Sequence, residues 1–154
     1  MRTWTTAVAA LCLSLGAFGH AARPWNIQVE WGDSTPAGTV YVVMLDNNGK
    51  LHAVRKGLPF TDEGLSTLTF DRTLTSAAVA RIRTSAEQFI RQLDFDKAQG
   101  HMVGDGGYAV VKIWDGSASL AARLNLLMTR EEAGKPWNTL LSMVTETLPP
   151  GFVK

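Results

Sequence analysis

The chain has 154 residues, with 15 basic and 14 acidic side chains, a formal net charge of +1 and one cysteine. A charge so close to zero gives no long-range attraction to nucleic acid or anionic lipid, which argues against an electrostatic nucleic-acid binder. A single cysteine excludes a disulfide framework within the chain, and the length suits one ordinary domain with its own core.

The N-terminus has the pattern of a secretory signal peptide. Arg2 supplies one positive charge, and an apolar run from Ala7 to Phe18 follows. That run has the length of a signal h-region and is too short for a stable transmembrane helix. Small residues come next, so we predict cleavage after Ala21, with cleavage after Gly19 as the nearby alternative. A retained, buried or membrane-anchoring N-terminal helix is the other interpretation.

Cleavage would leave residues 22–154 as a single mature domain that is periplasmic or secreted. Cys12 lies inside the apolar run and follows Leu11 rather than a small residue, so no lipoprotein site is predicted. Loss of residues 1–21 removes Arg2 and leaves 14 basic and 14 acidic residues. The mature chain would therefore be neutral and free of thiols, without a cysteine nucleophile. No later stretch approaches the roughly 18 apolar residues of a membrane span.

The first part of the mature chain predicts β-structure. Ile27 to Trp31 alternates apolar and polar residues, as in a half-buried strand. Thr39 to Leu45 is β-branched and almost wholly apolar, which favours a central strand. Asp46-Asn47-Asn48-Gly49 predicts a type I′ turn, so Leu51 to Lys56 should return as the hairpin partner. A short strand over Thr67 to Phe70 is predicted next.

The second part predicts a helix, a further hairpin and a final helix. Thr75 or Ser76 can cap the first helix, whose apolar stripe extends from Val79 to Leu93. Tyr108 to Trp114 is a predicted strand, and Asp115-Gly116 predicts a turn into a return strand over Ser119 to Leu127, with a helix as the alternative there. Gly134-Lys135-Pro136 is predicted to open the last helix, with its stripe reaching Leu148.

The predicted order is β-β-β-β-α-β-β-α. Adjacent hairpins favour an antiparallel sheet, and two amphipathic helices would then pack on one face of it. We therefore predict a single α+β domain.

The histidines are weak candidates for chemistry. His52 alternates with apolar neighbours in a predicted strand, and a lone histidine needs an orienting partner before it acts as a base. His101 lies near Asp94, Asp96 and Asp105 in sequence, and carboxylates around an imidazole can form an acid–base pair or bind a divalent metal. No second histidine stands at metal-ligand spacing. His101 and the three aspartates therefore support only an alternative hypothesis, a metal-assisted or acid–base hydrolase.

The other motifs fit turns better than ligand sites. A calcium loop starting at Asp94 fails because its fifth position is Ala98, and the glycine-rich segment Gly104–Gly107 precedes a strand rather than a helix. We therefore predict neither a metal ion nor a cofactor.

The mature chain is rich in tryptophan, which either packs in the core or forms a contact surface. Trp31 and Trp114 stand at predicted strand ends, and together with the loop residues Asp105 and Gly106 they are the candidate binding residues. A basic patch or a solvated helix face accounts for the following arginines: Arg72, Arg81, Arg83 and Arg91.

The leading functional hypothesis is an exported, non-enzymatic domain that binds a protein or a cell-envelope component, because a well-patterned fold carries no convergent polar cluster. An immunity or inhibitor protein is a further alternative. No nucleic-acid partner is predicted.

Overall fold

The computed structural model describes residues 24–33, 38–57, 66–92, 107–116, 119–125 and 131–154. The predicted signal peptide, residues 1–21, lies outside these ranges, so its presence, its cleavage and the export of the chain remain predictions.

Six strands and two helices follow the predicted order. They are β1 (Asn26–Asp33), β2 (Thr39–Asp46), β3 (Lys50–Gly57), β4 (Thr67–Thr73), α1 (Ser76–Gln92), β5 (Gly107–Trp114), β6 (Ser119–Asn125) and α2 (Glu131–Thr145). The strands form one sheet in the order β4-β3-β2-β1-β5-β6, and all neighbours are antiparallel. The prediction of a single α+β domain is confirmed.

Both predicted hairpins form, but the predicted type I′ turn in the first one is wrong. Among the described residues only glycines have a positive φ, so Asn48 lacks the φ that a type I′ turn requires, and residues 47–49 form a three-residue connection instead. Gly49 has a φ of +81°, in the left-handed region that glycine adopts at no steric cost, and the Asp46 carboxylate accepts the backbone N–H groups of Asn48 and Lys50 at 2.9 Å. The second turn has Gly116 at a φ of +86°. Residues 119–125 pair with β5 as a strand, so the strand prediction is confirmed there over the helical alternative.

The helices begin in different ways. Thr75 caps α1 as predicted, since its hydroxyl accepts the N–H of Ala78 at 3.3 Å. The prediction that the last helix opens at Gly134 is wrong, because α2 begins at Glu131 and carries Pro136 inside it. Glutamate and alanine have a high helix propensity, so the helix extends upstream of the glycine.

The core lies between one face of the sheet and the two helices. Strand residues such as Ile27, Val29 and Val111 are at most 1% exposed, and Phe89 of α1 and Leu140 of α2 are fully buried against them. Trp25, the first buried residue of the described chain, lies under the guanidinium of Arg83, at 4.8 Å from the ring centroid. The described helices thus cover one face and leave the other face of the sheet open.

The end of the chain is part of this core. Phe152 is 2% exposed and its ring lies 6.3 Å from that of Phe70. Arg55 donates hydrogen bonds to the carbonyl oxygens of Gly151 and Phe152 at 3.0 and 3.1 Å. These contacts hold the last turn against the edge of the sheet.

Candidate functional site

Most of the candidate site residues from the sequence lie outside the described part of the structure. This applies to the following residues: Asp94, Asp96, His101, Asp105 and Gly106. The acid–base and metal hypothesis built on His101, and the loop contribution to binding, therefore stay predictions. Trp31 and Trp114 are both described, and they lie in contrasting environments.

Trp31 is a core residue. Its side chain is 6% exposed, its ring stacks on Tyr41 with centroids 5.1 Å apart, and the ring of Trp137 meets it edge-on at 6.3 Å. This agrees with the interpretation of the tryptophans as packing residues, and Trp31 offers almost no surface to a partner. Trp114, by contrast, is 48% exposed at the end of β5.

Trp114 belongs to the side of the sheet that neither described helix covers, which we call the open face. Side chains alternate between the faces of a strand, so the open face carries every second residue of each strand. The strand register brings these residues into rows across the sheet. Its central part consists of the following residues: Gln28, Glu30, Val42, Met44, His52, Val54, Tyr108, Val110, Lys112 and Trp114.

The apolar part of the open face centres on β2. Val42 lies in one row with Val54 and Val110, all half-buried, and Met44 in the next row is 41% exposed. The sequence prediction that β2 is central is correct. β2 carries apolar residues on both faces, but the described helices cover only one face of the sheet. Apolar residues on the uncovered face of β2 are therefore the sequence feature that indicates this surface.

A polar cluster stands in the middle of the open face. Tyr108 donates its hydroxyl hydrogen bond to Glu30 Oε1 at 2.8 Å, and Gln28 donates to Glu30 Oε2 at 3.1 Å. The pKa of Tyr108 is raised from 10.0 to about 12. The largest cause is partial burial, followed by the hydrogen bond to Glu30 and by the negative charge of Glu30. Arg123 lies 5.5 Å from the ring centroid of Tyr108 and opposes this shift. The cluster therefore fixes one carboxylate among apolar neighbours.

His52 has an orienting partner that the sequence did not reveal. Its Nδ1 lies 2.7 Å from Oδ1 of Asp71, the residue directly opposite on β4. The side chains are 40% and 76% exposed, and both lie on the open face. In many acid–base sites a carboxylate orients the catalytic imidazole in this way. A histidine and a carboxylate alone do not make such a site, because it also needs a bound substrate or a nucleophile within reach of the imidazole. The two residues are 19 positions apart, so only the pairing of β3 with β4 brings them together.

The described residues hold no group of three or more His, Cys, Asp or Glu side chains that could bind a metal ion. In the same part of the chain, no helix has both the length and the apolar character needed to cross a membrane. Comparison of the sequence with protein-family models gives no match, and comparison with curated proteins gives no relative. The geometry of the open face is therefore the main guide to function.

Proposed function

We propose that this chain is exported and that its mature domain binds a protein of the cell envelope or its surroundings through the open face. The observation that carries the proposal is the apolar surface on that face, where Met44 and Trp114 are 41% and 48% exposed. Gln28 and Asn26 of β1 lie between these two side chains, so the open face mixes exposed apolar residues with polar ones, as reversible protein–protein interfaces do.

The chemistry of the open face suits a protein partner. Tryptophan and tyrosine are enriched among the residues that dominate binding energy, and the open face presents both types, in Trp114 and Tyr108. The half-buried Val110 lies beside Tyr108 on β5, in one row with Glu30 and Val42. The carboxylate of Glu30, held by two hydrogen bonds, gives the surface a fixed polar group that would discriminate between partners.

Export is tested by the mass of the mature protein. In a host with a Sec pathway, the full chain should be recovered outside the cytoplasm with residue 22 as its N-terminus, or residue 20 if cleavage follows Gly19. Recovery of the intact chain, residues 1–154, in the cytoplasm would contradict this part of the proposal.

The contact surface is tested by photo-crosslinking in the cells that produce the protein. A photoreactive amino acid at Met44 reports on the open face, and the same amino acid at Leu68 is the matched control. Leu68 is 45% exposed, but the register places it in a row with Tyr41, on the helix-covered face. We expect a discrete crosslinked protein from position 44 and none from position 68. Equal crosslinking at both positions would refute a specific open-face contact.

With that partner identified, Trp114→Ala should weaken its affinity about 30-fold or more, as for a dominant interface residue of about 2 kcal/mol. The control is Leu120→Ala, since Leu120 is 54% exposed and shares a row with the core residue Ile113. Its affinity should stay within about twofold, as expected for an apolar residue outside the contact. An unchanged affinity in Trp114→Ala would contradict the role assigned to that residue.

The pair of His52 and Asp71 favours a second candidate function, an acid–base hydrolase. An oriented imidazole on an exposed surface can act as a general base toward a bound ester or toward water. Hydrolysis of p-nitrophenyl acetate by the mature domain tests this. A loss in His52→Ala would support the described pair, a loss in His101→Ala the site predicted from sequence, and a rate equal to the buffer blank would dismiss both.

A further inference from the structure

A groove lies between the two helices, on the side of the molecule away from the open face. α1 and α2 are antiparallel neighbours. Ala78, near the start of α1, lines one end of the groove together with Glu146, which follows α2. Gln92, at the end of α1, lines the other end of the groove together with Lys135, near the start of α2. Three adjoining pockets of between 220 and 300 Å³ make up the groove.

The pockets are continuous because neighbours share lining residues. The first and second pockets share Arg81 and Met143, and the second and third share Ser85 and Gln88. The 15 residues from Ala78 to Gln92 correspond to a length of about 21 Å along a helix. A fully extended peptide of about six residues has the same length.

Among the described residues, the charges that line the groove are mostly positive. They are three cations, namely Arg72 and Arg81 near one end and Lys135 at the other, and one carboxylate, Glu146. Arg72 donates a hydrogen bond to the carbonyl oxygen of Thr147 at 3.2 Å. Arg81 makes no hydrogen bond or ion pair with any residue in the described ranges, so its guanidinium retains its five donors for a ligand.

The middle of the groove contains the buried hydroxyl of Ser85, which has no hydrogen-bond partner among the described residues. Ser85 is 5% exposed and lines both the second and the third pocket, and within the described residues its hydroxyl makes no hydrogen bond. A buried polar group without a hydrogen bond destabilises a protein, so such groups are rare and a functional role is one reason for keeping them. The exposed amide of Gln88 stands beside it, so this stretch can hydrogen-bond a peptide main chain.

We propose that the groove binds an extended acidic peptide segment of about six residues. Carboxylates of the segment would pair with Arg81 and Arg72 at one end and with Lys135 at the other. The main chain between them would accept a hydrogen bond from Ser85. This site is independent of the proposed function, because it lies on the helices rather than on the open face.

Fluorescence anisotropy with a fluorescein-labelled hexaglutamate peptide tests the proposal on the mature domain. Hexaglutamine and hexalysine are the neutral and cationic comparison probes. We expect saturable binding of hexaglutamate alone. Charge reversal by Arg81→Glu should weaken binding at least tenfold, whereas Arg91→Glu should change it by less than twofold. Arg91 lies on the same helix and lines none of the three pockets, so the two variants differ only in position.

Ser85→Ala separates a specific groove from a diffuse positive field. It should weaken hexaglutamate binding two- to fivefold without lowering resistance to urea, because the lost hydroxyl has no partner in the described fold. Three outcomes would overturn the proposal: no binding of hexaglutamate, equal weakening by the Arg81 and Arg91 reversals, or equally effective competition by monomeric glutamate or inorganic phosphate.

Discussion

Replacing the two tryptophans one at a time tests the division of the molecule into a core face and an open face. Trp31→Ala removes a side chain that is 6% exposed and that contacts the rings of Tyr41 and Trp137. Core truncations from tryptophan to alanine destabilise proteins by about 3–5 kcal/mol, and the aromatic pairs bring the expected loss toward the upper end. Trp114→Ala removes a ring that is 48% exposed, so we expect a loss of about 1 kcal/mol or less.

Urea unfolding followed by far-UV circular dichroism gives both values, provided that the dependence of the free energy of unfolding on urea is unchanged between variants. A domain of this kind has a total stability of about 5–15 kcal/mol, so Trp31→Ala can leave too little folded protein to measure. Trp31→Phe then serves as the milder variant and should still lose more stability than Trp114→Ala. Equal losses at the two positions, or a larger loss at Trp114, would refute the assignment of the faces.

Three further perturbations follow from described contacts. Tyr108, whose pKa is about 12, should remain mostly protonated at pH 11. The absorbance at 295 nm of the protein, compared with that of Tyr108→Phe, reports its ionisation. Glu30→Gln should lower the pKa of Tyr108, because it removes the charge of the carboxylate that accepts the hydroxyl hydrogen bond. Because the folded pKa lies above the ordinary value of 10.0, the stabilisation from Tyr108 is complete below pH 10 and is lost as the pH rises toward 12; unchanged urea resistance across that range would contradict this. Phe152→Ala should lower the free energy of unfolding by about 3–5 kcal/mol, since the ring is 2% exposed; a loss below about 1 kcal/mol would show that the chain end is not part of the core. Gly49→Ala should lower it by more than about 1 kcal/mol, because φ is +81° and the new Cβ would lie 2.7 Å from the carbonyl oxygen of Leu74; wild-type stability would contradict the turn geometry.

The sequence predicted those elements whose causes are local. Asn48-Gly49 and Asp115-Gly116 are local turn signals, so both hairpins were predictable, although the turn type at Asn48-Gly49 was not. The start of α2 was not, because the glycine and proline at 134 and 136 suggested a boundary that the good helix formers before them override.

The strand order depends on contacts that local patterns do not encode. β5 pairs with β1 although β2, β3, β4 and α1 lie between these two strands in the sequence. The contact of His52 with Asp71 and the groove beside Ser85 have the same origin, since each joins elements whose relative placement follows from packing. The candidate residues near His101 were chosen by proximity in sequence, which is a weaker guide to a site than this kind of pairing.

The composition of the open face argues for a reversible contact rather than a missing layer of the fold. A permanent helical layer over Val42 and Met44 would also bury the carboxylate of Glu30, and two neutral hydrogen bonds do not compensate the desolvation of a charge. Evolution of a three-layer core would therefore favour an apolar residue at position 30. A surface that alternates between water and a partner can keep the charge, because a polar group on the partner replaces the water that Glu30 loses. The central position of Glu30 among valines is thus more consistent with a binding face than with an incomplete core.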